Sequence, residues 1–261
     1  MFKSLWQYKY FVFSSIRNEL ISRFARSKLG GLWMVINPLA QVAIYALILS
    51  NVLAAKLPGV ESTYGYSAYL MAGLLAWTLF SEIISACLNL FIAQGNTMKK
   101  MNFPRITLPA IVVGTSILNS VLLFISIIGI FVLLGLEFSW LILWLIPLTV
   151  LVVLLAMGIG LILGVLNVFV RDVGQVTPII LQMLFWFTPI VYPIAIIPEE
   201  YRHLLSYNPM YAITNSYQQV LVFGQPPNFE ALPVVTAISI LLLFIGLFMF
   251  RKASPEMVDV L

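Results

Sequence analysis

The chain has 261 residues, of which 61% are hydrophobic and only 9% charged, with a mean hydropathy of +1.02. A water-soluble domain of this size is nearer half apolar and a quarter charged, so a soluble globular protein, a disordered chain and a disulfide scaffold are all excluded. The formal net charge is +4 and the single cysteine, Cys87, forms no disulfide within the chain. Basic residues recur from Lys3 to Lys28 with no clean apolar block between them, so the N-terminus does not read as a cleavable signal peptide.

Six long apolar runs follow, at about residues 33–55, 68–91, 106–136, 140–170, 176–197 and 232–250. A spanning helix needs roughly 20 apolar residues, so six spans fill the chain and leave little for a soluble domain. The runs lack the alternating ten-residue segments of a barrel, and an isolated strand edge cannot survive in lipid; all six are predicted as helices. The third and fourth exceed what a bilayer needs and are expected to tilt or protrude.

Orientation follows from the basic residues. With an even number of spans, 12 of the 14 fall on one side and only Lys56 and Arg202 on the other. That bias predicts cytoplasmic termini. The opposite loops carry Glu61, Glu137, Glu199, Glu200 and Glu230.

Two segments depart from plain spans. The arm before the first run places Phe13, Ile16, Leu20 and Phe24 on one helical face, with Glu19, Arg23 and Arg26 on another. Glu19 and Arg23 form a favourable i,i+4 pair, although Arg17 interrupts the apolar side. A basic amphipathic helix with Trp6, Phe11 and Phe13 reads as lying in the cytoplasmic membrane interface; the alternative is a helix packed on the protein. The expected division is residues 1–32 as interface helix and 33–261 as permease domain. Within the latter, residues 198–227 are too polar to cross the bilayer and too apolar for a free loop. With Pro198 and Pro209 as breakers and Tyr201, Tyr207, Tyr211, Tyr217 and Phe223 as rings, they predict one or two short re-entrant or surface helices. Such backbone is tolerated at membrane depth only where protein or water covers it.

Catalytic patterns are missing. No GxxxxGK[ST] phosphate loop occurs, no His/Cys cluster has metal-ligand spacing, and no GxSxG elbow is present. His203 stands alone, and Glu199 and Glu200 are adjacent loop residues. The one ionisable residue well inside a span is Glu82. It reads either as a proton site, as in a proton-coupled carrier, or as a carboxylate at a helix interface or pore, hydrogen-bonded to Ser81 or Ser85. Gly160-xxx-Gly164 permits close helix packing, though it also arises by chance in a Gly-rich span.

The stretch Arg23-Phe-Ala-Arg26-Ser27-Lys28-Leu29-Gly30-Gly-Leu-Trp33, followed by Asn37-Pro38, resembles the membrane subunit of polysaccharide-exporting ABC transporters. In that family a basic arm ends in Arg-x-x-x-Ser-x-Leu-Gly-x-x-Trp and turns into the first span at Asn-Pro. Lys99-Lys100-Met-Asn102-Phe103-Pro104-Arg105 resembles its loop between spans two and three, and Asn167-Val-Phe-Val-Arg171-Asp172 its loop between spans four and five. Thr188-Pro189-Ile-Val-Tyr192-Pro193 and Tyr207-Asn208-Pro209-Met-Tyr211 resemble the end of span five and the segment after it. The likeness covers nearly the whole chain.

The resemblance implies an all-α integral membrane protein of six transmembrane helices in the bacterial inner membrane, with an N-terminal amphipathic interface helix and short gate helices before the last span. It would be half of a homodimeric pore over two copies of a cytoplasmic ATPase subunit. ATP and Mg would bind that partner, with no cofactor, catalytic residue or nucleic acid on this chain. The cargo would be a glycan on polyprenyl diphosphate, such as O-antigen, capsule or teichoic acid. Lys99, Lys100, Asn102, Phe103, Pro104 and Arg105, with Arg171 and Asp172, are the candidate ATPase contacts; Phe103 supplies the aromatic anchor and the charges its flanks. Arg17, Arg23, Arg26 and Lys28 are candidates for the lipid diphosphate, which arginine can contact bidentately; attraction to anionic lipid is the plainer reading. Sugars present C–H faces to aromatic rings, so Trp33, Tyr45, Trp77, Phe80, Phe185, Trp186, Phe187 and Tyr192 are channel candidates, Trp33 and Trp140 being better placed for the interfacial belt. Tyr201, Tyr207, Tyr211 and Tyr217 belong to the expected outer gate. An ABC permease for a drug or lipid is the alternative within the fold.

Overall fold

Helix is the only regular structure among the described residues of the computed structural model, which are 6–24, 28, 29, 32–44, 65–95, 99, 104–133, 135 and 139–260. The reason is the solvent: backbone groups in lipid must be paired within their own segment. In chain order the helices are α1 (Lys9–Phe24), α2 (Trp33–Ile44), α3 (Gly65–Ala93), α4 (Thr107–Leu133), α5 (Leu145–Phe169, entered through a 3₁₀ turn at Trp140–Trp144), α6 (Asp172–Trp186), α7 (Glu199–Leu205), α8 (Pro209–Leu221) and α9 (Leu232–Val260).

Four of these elements are long and apolar enough to cross a membrane: Gly65–Ala93, Thr107–Leu133, Trp140–Phe169 and Leu232–Met257. The most apolar stretches of α3 and of the Trp140–Phe169 element are each 56% buried, against 17% for α9, which puts α3 and α5 at the centre and α9 outside. Contact between α5 and its two neighbours depends on missing side chains. A Cβ on Gly160 would lie 2.9 Å from Cys87 Cβ, and one on Gly164 2.4 Å from the Cys87 carbonyl oxygen. On the other side of α5, a Cβ on Gly158 would meet the Leu243 nitrogen at 2.6 Å, and one on Gly246 the Gly158 oxygen at 2.9 Å. Gly160-xxx-Gly164 is therefore a packing stripe against α3, and Gly158 with Gly246 is its counterpart against α9. At the end near Phe91, that ring stacks on Phe250 at 5.3 Å and Leu108, Val165 and Met257 close around them.

The fifth apolar run is not one continuous helix. α6 stops at Trp186 after 15 residues, about 22 Å at 1.5 Å per residue and short of the roughly 30 Å hydrocarbon core. Thr188-Pro189 explains the stop: proline has no N–H to donate and disfavours helix in the residue before it. The sixth run is longer than its apolar part, since α9 continues to Val260 and carries Arg251 and Lys252 on helix. Of the first run only Trp33–Ile44 is described; Tyr45 and Lys56 lie outside the described residues.

The arm forms α1 and packs on α4. Ile16 is the nearest neighbour of Gly114, and Thr115 Oγ1 donates to the Glu19 carboxylate at 3.2 Å. Trp6, Tyr10 and Phe13 remain exposed, with the Lys9 ammonium 4.5 Å over the Trp6 ring. The expected Glu19–Arg23 pair falls on a side chain outside those described. Glu82 is satisfied across a helix interface: Asn119 Nδ2 of α4 donates to its Oε1 at 2.6 Å. The expected serine partner is not found for Ser81, whose hydroxyl donates to the Thr78 carbonyl.

Candidate functional site

Residues 198–227 hold two short helices, α7 and α8, as their proline breakers require. Asn208 caps α8 by accepting from the Met210 N–H at 3.0 Å, ahead of Pro209 in the first turn. α8 is strongly embedded. Tyr217, expected in the gate, is only 1% exposed and shares a 2.8 Å hydrogen bond with Thr149 of α5. It anchors α8 to the bundle, because a buried phenol must find a partner.

The Thr188–Pro193 turn is where non-helical backbone meets the core, and side chains from two helices satisfy its carbonyls. Tyr69 Oη donates to the Pro189 oxygen at 3.1 Å and Gln218 Nε2 to the same oxygen at 3.0 Å. Tyr66 Oη donates to the Val191 oxygen, and Asn208 Nδ2 to Thr188 Oγ1 at 2.9 Å. Gly73 makes room, since a Cβ there would come 3.1 Å from both Ile190 Cγ2 and Gln218 Nε2. This set covers the turn with protein, the condition under which irregular backbone persists at membrane depth. Tyr66, Tyr69 and Gln218 were missed in the sequence; Tyr66 and Tyr69, three apart at the start of α3, share a helical face, which was the available signal.

Beside the turn lies a groove of about 820 Å3 between α6 and α7. Trp186, Phe187, Tyr192, Tyr201 and Tyr207 all line it, so three expected channel rings and two expected gate rings form one aromatic wall. Tyr192 Oη is held by the Trp186 carbonyl at 2.6 Å, and Tyr207 is 82% exposed. Tyr211 is half-buried and lies outside the wall; burial raises its phenol above the ordinary value, with Arg202 opposing, so it stays neutral at physiological pH.

A second, smaller cavity of about 280 Å3 opens between α3 and α6, lined by Trp77 and Phe185 with Ser81, Ser85 and Gln182. Trp77 and Phe185 meet edge to face at 5.5 Å. Phe80, named with them from the sequence, is instead a core ring at 1% exposure: at 100° per residue it faces the opposite side of α3 from Ser85.

The expected ATPase contacts are only partly described. Lys99 is exposed; Lys100, Asn102 and Phe103 lie outside the described residues. Pro104 starts α4 by accepting from the Thr107 N–H and hydroxyl at 2.9 and 2.8 Å. Arg105 is engaged internally, its guanidinium donating to the Ser254 carbonyl and, at 2.9 Å, to Ser254 Oγ on α9. Arg171 and Asp172 are exposed at the sharp α5–α6 turn and form no ion pair with each other; Asp172 lies in the first turn of α6, where the helix dipole favours an acid. Nearby, Asn167 is buried, donates to the Leu88 carbonyl at 2.8 Å and packs where a Cβ on Gly174 would strike it, locking the turn to α3. Of the candidate diphosphate residues, Arg17 and Lys28 are exposed; Arg26 and the Arg23 side chain lie outside what is described.

Residues 10–222, α1 through α8, match the family described as ABC-2 type transporter. The chain is 27% identical over 263 residues to an O-antigen export system permease protein RfbA of Myxococcus xanthus, covering 98% of this chain and 97% of that protein. It is 29% identical to the protein of that name in Klebsiella pneumoniae, covering 93% and 92%. It is 24% identical to the polysialic acid transport protein KpsM of Escherichia coli, covering 92% of each. With the match taking in the helices that build the turn and the groove, and most of the chain, the chain belongs to the ABC-2 type transporter family.

Proposed function

We propose that this chain is the permease half of an exporter that moves a lipid-linked polysaccharide across the bacterial inner membrane. Two copies form the pore and two separate ATPase subunits drive it, binding ATP and Mg. The reading rests most on the end-to-end similarity to permeases named for O-antigen export and polysialic acid transport. The aromatic groove supports it, because a glycan conduit needs rings that accept sugar C–H faces and no ring of charge. The missing phosphate loop agrees with an ATPase on another chain.

In this reading there are six crossings. α2 with the segment after it is the first, and α6 with the tethered turn is the fifth; it reaches the outer side as a helix plus covered non-helical backbone. Both termini are cytoplasmic in this reading, which the placement of 12 of the 14 basic residues supports. Residues 1–32 lie in the cytoplasmic interface, with Trp6, Tyr10 and Phe13 turned to lipid. The loop bearing Lys99, Lys100, Asn102 and Phe103 docks on the ATPase, while Arg105 braces that loop against α9. α7 with the exposed Tyr201, and Tyr207 just after it, form the outer gate. Asn119 gives Glu82 an interhelical role, which leaves a proton-coupled carrier without support.

Co-expression with candidate ATPase subunits tests the proposal. The expected result is a stable complex of two permease and two ATPase chains whose hydrolysis rises with polyprenyl-diphosphate glycan. ATP-independent transport by the purified chain, or hydrolysis that responds to drugs and not to glycan lipid, would overturn it.

A further inference from the structure

The small cavity between α3 and α6 sets three polar side chains, Ser81, Ser85 and Gln182, among the apolar Trp77, Pro178, Leu181 and Phe185. Thr78, Ser81, Ser85 and Asn89 fall within about 80° of one another on α3, at 100° per residue. Ser85 and Asn89 are exposed, and Gln182 is exposed across the cavity on α6. Thr78 and Ser81 return their hydroxyls to the backbone of their own helix. The Ser85 hydroxyl and the Gln182 amide have no hydrogen-bond partner among the described residues. Facing hydrocarbon, the Gln182 amide would bear the cost of an unpaired polar group, several kcal/mol, whereas the Ser85 hydroxyl could still turn to its own helix as Thr78 and Ser81 do. Such a face is stable against water, a polar ligand or another protein surface, and access to a charged aqueous reagent separates the first two from the third.

The cavity also has a shape. Trp77 and Phe185 meet edge to face at one wall, and the free hydroxyl and amide stand on the facing helices. At about 280 Å3 it has room for one six-membered sugar ring. Aromatic edges and faces accept a ring's C–H surface, while a hydroxyl and a primary amide read equatorial and axial hydroxyls as both donors and acceptors. We infer that this cavity is a single-pyranose binding site, in which Phe185, backed by the buried Trp77, holds the ring and Ser85 and Gln182 read its hydroxyls. It rests on the polysaccharide-exporter reading and adds to it a place where sugar identity is sensed one residue at a time, apart from the wide aromatic groove. A wide groove of rings tolerates any sugar; paired hydroxyls do not, because a wrong epimer leaves Gln182 unpaired.

The test uses the full chain assembled with its ATPase partner in membranes. Ser85→Cys and Gln182→Cys are each treated with a charged, membrane-impermeant thiosulfonate; the native Cys87 is buried and serves as the unreactive background. Methyl pyranosides of glucose, galactose, mannose and rhamnose are the protecting probes, and acyclic sorbitol is the control with hydroxyls but no ring face. Both new thiols are expected to react, and at least one pyranoside is expected to slow the reaction about tenfold at a concentration where sorbitol does nothing. Gln182→Leu is expected to cut polymer export about tenfold, the size of one lost polar contact, in a complex that still assembles. Thiols that react only with lipid-soluble maleimide would show a dry face and end the proposal. Thiols that react but are protected by no pyranoside would end it too. The unsubstituted complex is assayed for export in parallel, so that failure of the exporter reading registers there, independently of the thiol results.

Discussion

Gly164→Ala isolates the close packing of α5 on α3. The added Cβ would come 2.4 Å from the Cys87 carbonyl oxygen, 3.2 Å from the Cys87 carbonyl carbon and 3.2 Å from Phe91 Cε2. Two of those atoms are helix backbone, which cannot rotate away, so the helices must separate by roughly 1 Å to restore van der Waals contact. Overpacking of this kind costs about 1–3 kcal/mol. It works against a gain of about 0.5–1 kcal/mol from replacing glycine by alanine in a helix. Gly129→Ala supplies that gain alone, since a Cβ there meets nothing within 4 Å. In thermal unfolding of the chain in one detergent or nanodisc, Gly164→Ala should melt several degrees below the parent and Gly129→Ala at or slightly above it. If Gly164→Ala melts with Gly129→Ala, the glycine stripe does not set the α3–α5 distance and the packing argument fails.

Tyr217→Phe removes one buried hydrogen bond to Thr149 and should cost about 1 kcal/mol in the same melting assay; an unchanged midpoint would deny Tyr217 its anchoring role. Tyr69→Phe and Gln218→Leu each strip one donor from the Pro189 carbonyl, so the double variant should lose more than the sum of the singles, measured as a cycle of melting temperatures. Additive losses would mean the two donors act independently. Glu82→Gln keeps an acceptor for Asn119 and should still export glycan, whereas Asn119→Leu should destabilise by about 1–3 kcal/mol; loss of transport by an intact Glu82→Gln complex would revive the proton-coupled alternative. Phe103→Ala with Lys99→Ala should abolish stimulated ATP hydrolysis in the assembled complex, and undiminished stimulation would remove the loop from the docking surface.

The helical class, the placement of apolar runs and the lopsided basic charge were legible because they are local: lipid as solvent forces intrahelical pairing, and charge position is read directly along the chain. Proline positions likewise announced one or two short helices, and two are present. Run length misled at the fifth segment, since apolar content cannot reveal that Thr188-Pro189 ends α6 while Tyr69 and Gln218, over a hundred and 29 residues away, take over the orphaned carbonyls. The site was readable as residue types but not as groupings. Trp186, Phe187, Tyr192, Tyr201 and Tyr207 share a wall only because the turn folds α7 back beside α6. Phe80 and Tyr217 carry the same chemistry as their neighbours, and only the rotation of their helices sends them into the core. Sequence determined what the chain is dissolved in and where its basic charge lies; tertiary packing decided which side of each helix meets protein and which stays exposed, because helix rotation depends on neighbours far away in the chain.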